Sequence, residues 1–170
     1  MIRFTESDMA FAFEEDKTCN LERSLRYQAL KQYAVSSVEC VTLYQFRGEE
    51  HIVFIEAKKS APNPNHVENH ERLGEYMNGL KEKYEHSIHL CYSALHGIDQ
   101  ERLEIGGRLL NALNCPRKIM FLLIVKRLED KWCQEIQAVL QKELKHLRHI
   151  WQANVLVINE ALAKKYHIVV

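Results

Sequence analysis

Seven consecutive apolar residues, Ile119 to Val125 (IMFLLIV), constrain this chain more than any other feature. The run is far short of the roughly 20 residues that a membrane-spanning helix needs. A strand-length run that is apolar at every position needs cover on both faces, which puts it at the centre of a sheet. Lys118 to Val125 is therefore expected to be a central buried strand. His51 to Lys58 (HIVFIEAK) has the same solid apolar middle, and Asn154 to Ile158 (NVLVI) reads as a shorter third strand. Val38 to Phe46 (VECVTLYQF) is rich in β-branched and aromatic residues, which favour strands. Between it and His51 lies Arg47-Gly48-Glu49-Glu50, a polar, glycine-containing connection of the hairpin type.

Helices account for most of the rest. Asn20 suits the N-cap of a helix over Leu21 to Tyr33, with Leu21, Leu25 and Ala29 at four-residue spacing. Asn65, after the breaker Pro62-Asn63-Pro64, suits the start of a long helix striped by Leu73, Tyr76, Met77, Leu80, Tyr84 and Ile88. Gly97 can close that helix, and Asp99 can open a shorter one ending before Cys115-Pro116. Trp132 to Leu147 is amphipathic, and Asn159 can cap a last helix ending near Tyr166. The first dozen residues fit strand and helix equally. With 170 residues and no repeat, low-complexity stretch or Gly/Ser linker, the expectation is a single domain over 1–170. Its class is α/β, a mixed central sheet with an antiparallel hairpin, flanked by helices.

Five cysteines, an odd number with no CxxC pair, argue against a disulfide framework or a structural zinc site. Met1 to Asp16 holds five acidic residues and one arginine, unlike a signal peptide. Both point to free thiols and a cytoplasmic protein. Formal net charge is zero, which excludes a global attraction to polyanions. Residues 117–149, however, hold 8 basic and 4 acidic groups, an excess of four positive charges.

The hairpin carries the chemistry. With its turn centred on Gly48 and Glu49, Glu39 lies opposite Lys58 and Val41 opposite Glu56. Paired residues share a face, as do residues two apart on a strand, so Glu39, Glu56 and Lys58 are expected on one face. A register error of one residue would send Glu39 to the other side. Carboxylates and a lysine on an apolar sheet are costly unless paired or bound to a cation. Mg²⁺ and Mn²⁺ take such oxygen ligands. His66 and His70 lie four residues apart but do not form HExxH.

Val53-Phe54-Ile55-Glu56-Ala57-Lys58, preceded by an acidic residue on the partner strand, resembles the active-site hairpin of the PD-(D/E)xK nuclease superfamily. The resemblance covers residues 20–80 and implies a restriction-endonuclease-like fold. It implies a nuclease that hydrolyses DNA in preference to RNA with Mg²⁺ (or Mn²⁺), working as a homodimer where two strands are cut. Glu39, Glu56 and the Ala57 carbonyl would hold the metal, Lys58 would be the catalytic lysine, and Glu22 the acidic residue ahead of the hairpin. Lys59, His66 and Arg72 would meet nucleic-acid phosphates. Glutamate stands at 39 where the pattern usually has aspartate, and Arg72 where related exonucleases have the glutamine of Q-x-x-x-Y. With the neutral net charge, these departures favour a second reading, an inactive nuclease-fold module that binds nucleic acid or protein. A third is an unrelated α/β domain, in which Glu39 and Lys58 would lie on opposite faces.

Overall fold

The computed structural model describes residues 1–65 and 67–170, with the side chains of Val67 and Glu101 outside the description. Its centre is a five-stranded sheet in the order β3 (Thr18–Cys19), β4 (Cys40–Phe46), β5 (Glu49–Lys58), β6 (Lys118–Val125), β7 (Asn154–Asn159). The first three strands are antiparallel, and β5, β6 and β7 run parallel. The expected α/β class and mixed sheet are therefore correct. The apolar run Ile119–Val125 is buried throughout, as a strand with parallel neighbours on both sides requires.

Parallel pairing demands crossovers, and helices supply them. Between β5 and β6 come α2 (His70–Leu95), α3 (Gln100–Leu103) and α4 (Gly107–Leu113). Between β6 and β7 come α5 (Asp130–Glu143) and α6 (Lys145–Trp151). Leu73, Met77, Leu80, Tyr84 and Ile88 of α2 pack with Ile52 and Phe54 of β5 and with Phe121 of β6. The alternate residues, Val53, Ile55, Ala57, Leu122 and Ile124, face a second core. That core is covered by α7 (Glu160–Lys165) and by an N-terminal hairpin, β1 (Ile2–Glu6) and β2 (Met9–Phe13). The ambiguous first dozen residues are thus strands, held by the buried rings of Phe4, Phe11 and Phe13.

Three helix expectations need correction. The first helix is not Leu21–Tyr33 but α1 (Leu25–Leu30), continued by a 3-10 turn over Lys31–Tyr33. Leu21 is fully buried in the main core while Leu25 is 58% exposed, so the four-residue spacing was not one helix face. Ser24 is the actual cap, its hydroxyl accepting the Tyr27 N–H at 3.2 Å. The long helix begins at His70 after a 3-10 turn over Val67–Asn69, not at Asn65. The segment opened by Asp99 splits into α3 and α4 at Glu104, which takes the left-handed conformation (φ 55°), and Gly106 then packs directly on the Glu15 and Asp16 carbonyls, where a side chain would collide.

The hairpin register also differs. The turn centres on Arg47 and Gly48 (φ 52° and 82°), with Phe46 opposite Glu49 and Val41 opposite Phe54. Positive φ at both central residues is what a two-residue hairpin turn requires. The slip relative to the expected pairing is two residues. An even slip preserves faces. Glu39 lies one residue ahead of β4, its N–H donating at 3.0 Å to the carbonyl of Ile55, the residue that Cys40 already faces, so the expected Glu39–Lys58 pairing does not form.

Candidate metal centre

Glu56 lies on the α2 face of β5 with no exposed surface, and Lys58 follows it on the same face. The Lys58 Nζ stands 2.8 Å from Glu56 Oε1. A second ammonium reaches the same oxygen: Lys83 of α2, also at 2.8 Å. Lys83 is also 3.9 Å from Glu39 Oε1, so it bridges the two strands' carboxylates. Glu39 and Lys58 therefore approach Glu56 from the same side, Glu39 through Lys83 and Lys58 directly.

Glu39 is 4% exposed and shares a hydrogen bond with Glu22. Glu22 sits in the turn leading into α1, not on the helix. Arg26, one turn further on, pairs with Asp99 instead of Glu22. A third carboxylate joins from the N-terminal hairpin. Carboxylate oxygens of Glu6, Glu22 and Glu39 all lie within 4.8 Å of one another.

The tip of that hairpin is tied to the end of β5. Ser7 donates its hydroxyl to the Ala57 carbonyl at 3.0 Å and its N–H to Glu6 Oε1 at 2.9 Å. The carbonyl of Ala57, the expected ligand, therefore already accepts one hydrogen bond. Lys59 is exposed and 3.2 Å from Asp8 Oδ1. Arg72 is exposed in the first turn of α2, about 16 Å along the helix from Lys83. The structure does not bring it to the carboxylates. His66 lies outside the described residues.

Burial sets the electrostatics. Desolvation, helped by the hydrogen bond to Glu22 and the charge of Glu56, pushes the Glu39 carboxyl up to about 10. Glu56 is also raised by burial, with Lys83 and Lys58 opposing. Burial alone lowers the Lys83 ammonium, but Glu56 and Glu39 carry it above its ordinary value. Glu56 Oε2 has no hydrogen-bond partner among the described residues, and neither do the buried hydroxyls of Tyr76 and Tyr84. Burial and the nearby Glu56 charge raise both phenols.

Glu39 thus links two groups: the carboxylates of Glu6 and Glu22 on one side, and, through Lys83, Glu56 with Lys58 on the other. Carboxylates and a carbonyl are ligands for Mg²⁺ or Mn²⁺, and the orphaned Glu56 oxygen fits that donor set. A cleft of about 310 Å³, bordered by Lys58, Tyr76, Leu80 and Lys83, opens beside the site.

The proton on Glu39 has a measurable consequence. An acid raised in the folded state binds its proton more tightly there, so its contribution is fully present below the unfolded value. It is lost as pH climbs from about 4.5 to about 10. Metal-free protein is expected to lose thermal stability over this window, and Glu39→Gln, which mimics the protonated form, to lose less. Parallel melting-temperature profiles for the two proteins would show that Glu39 holds no such proton.

Sequence reasoning missed Glu6 and Lys83. Glu6 had no signal, because the first strand was unassigned. Lys83 had one: it adjoins Leu80 and Tyr84 on the buried side of α2, where an unpaired lysine is costly. No family model, curated protein or solved structure matches this chain, so its chemistry rests on the side chains themselves.

Proposed function

We propose that the protein is a divalent-metal-dependent nuclease that hydrolyses phosphodiester bonds in DNA in preference to RNA. The carrying observation is Glu56, a wholly buried carboxylate with one oxygen on two lysines and the other without a hydrogen-bond partner among the described residues. Glu39, Glu56 and the Ala57 carbonyl would hold Mg²⁺ or Mn²⁺, with Glu22 supporting Glu39. Bound there, such an ion lowers the pKa of water and offsets charge on a phosphoryl oxygen. Lys58, half-exposed beside the cleft, orients the attacking water or stabilises developing negative charge.

Calorimetric Mn²⁺ titration with cleavage assays on DNA and RNA tests this. Wild type is expected to bind saturably and cleave, and Glu56→Gln to lose both. Lys58→Met is expected to keep the metal but cleave about 10²- to 10⁴-fold more slowly. Absence of Mn²⁺ binding by wild type, with nucleic acid present, would sink the proposal.

One observation favours the second reading, an inactive module of the same architecture. Lys83 bridges Glu39 and Glu56, and an ammonium there can replace a cation permanently. That protein would show no Mn²⁺ binding and no thermal shift with the ion.

A further inference from the structure

Strands β5 and β6 leave the sheet side by side, and each exit carries two cations. The Lys126 N–H donates to the Lys58 carbonyl at 2.8 Å, and the Arg127 N–H to the Lys59 carbonyl at 3.0 Å. Lys58-Lys59 and Lys126-Arg127 therefore run alongside each other, about one strand spacing (~4.8 Å) apart. Little negative charge offsets the outer three. Asp8 meets Lys59, whereas the Lys126 ammonium donates to the Asp8 backbone carbonyl, at 2.8 Å, and forms no ion pair among the described residues. Arg127 is exposed and forms no ion pair among the described residues.

The positive excess of residues 117–149 divides accordingly. Arg117 and Lys118 stand at the opposite end of β6, about 25 Å away along the strand, where Glu50 and Glu49 pair with them. Of the two ends of β6, the exit end, next to Glu56 and Lys58, is the one where Lys126 and Arg127 have no carboxylate partner among the described residues. The exposed Lys142 and Lys145 of the same segment lie apart, on α5 and α6. The α2 wall of the neighbouring cleft carries Glu75 and Glu82, which repel a polyanion. An anionic polymer is thus drawn across the strand exits rather than along α2.

We propose that Lys59, Lys126 and Arg127 form a phosphate-contacting rail that leads a nucleic-acid backbone to Lys58 and the glutamate cluster. The identity of the polyanion rests on the nuclease reading; the placement of the rail rests on the strand exits. Each phosphate contact releases a counterion, so binding weakens with salt in proportion to the contacts made.

The test is fluorescence anisotropy of a labelled DNA duplex, with Ca²⁺ replacing Mg²⁺ and salt varied from about 50 to about 200 mM. The double variant Lys126→Gln/Arg127→Gln is expected to flatten the slope of log K against log salt by about 1.8, two contacts' worth. Over that fourfold salt range, wild-type affinity then falls about 12-fold more than the variant's. Asp8→Asn, which removes the one carboxylate on the rail, tightens binding. The charge-matched control Arg117→Gln/Lys118→Gln leaves the slope unchanged, and circular dichroism verifies that all variants fold. A wild-type slope in the rail variant, an equal loss in the control, or no DNA binding by wild type overturns the rail. Rail-dependent binding without any cleavage rejects the nuclease reading alone, and cleavage with unaltered rail binding rejects the rail alone.

Discussion

Lys83→Met is expected to destabilise the metal-free protein by about 3 kcal/mol at neutral pH, the low end for breaking a buried ion pair. The cost arises because Glu56 is wholly buried and Lys83 supplies one of its two counter-charges. Lys58 remains on the same oxygen, which keeps the loss at that low end. Glu56 is already raised by burial, so it can also take up a proton once Lys83 is gone. The loss is therefore smaller in acid and larger in alkali. Glu56→Gln in the Lys83→Met background should recover much of the stability, because no buried charge then lacks a partner. Urea denaturation of the two single variants and the double closes this cycle. Strictly additive effects would show that Lys83 and Glu56 do not interact energetically.

The largest expected effect lies in the core behind the site. Phe121 is 0% exposed on β6, with its ring 5.9 Å from Phe54 and 5.0 Å from Tyr84, centroid to centroid. Phe121→Ala removes a ring from a close-packed layer and leaves a cavity, at a cost of about 3–5 kcal/mol. For a chain of this size that corresponds to a fall in melting temperature of about 6–20 °C. Phe121→Leu keeps most of the volume and should cost well under half as much. The Ala variant should also weaken the candidate site, since Tyr84 rests on Phe121 while the charge of Glu56 acts on its hydroxyl. A thermal melt within about 2 °C of wild type would mean that the core repacks freely around the gap.

The architecture was legible where burial leaves a one-dimensional trace. The solid apolar runs of β5 and β6 could only be strands covered on both sides, and both spans were read almost to the residue. The hairpin register was misplaced by two residues, yet Glu56 and Lys58 still share a face because side chains alternate with period two, and Lys83 brings Glu39 to them. Where apolar spacing mixed two environments, as at buried Leu21 and exposed Leu25, periodicity pointed to a helix that begins four residues later.

By itself, then, the sequence determined the sheet's central strands, the α/β class and the face on which the E-x-K residues stand. These depend on contacts between near neighbours in the chain and on the alternation of strand side chains. Only the tertiary structure decided which other charges gather around Glu39, Glu56 and Lys58. Glu6 arrives on a hairpin packed over the opposite core, Lys83 on a crossover helix, and Lys126 beside Lys58 through parallel pairing. Their separations in sequence leave no periodic trace, because they are set by how a twisted sheet and its covering layers close upon one another.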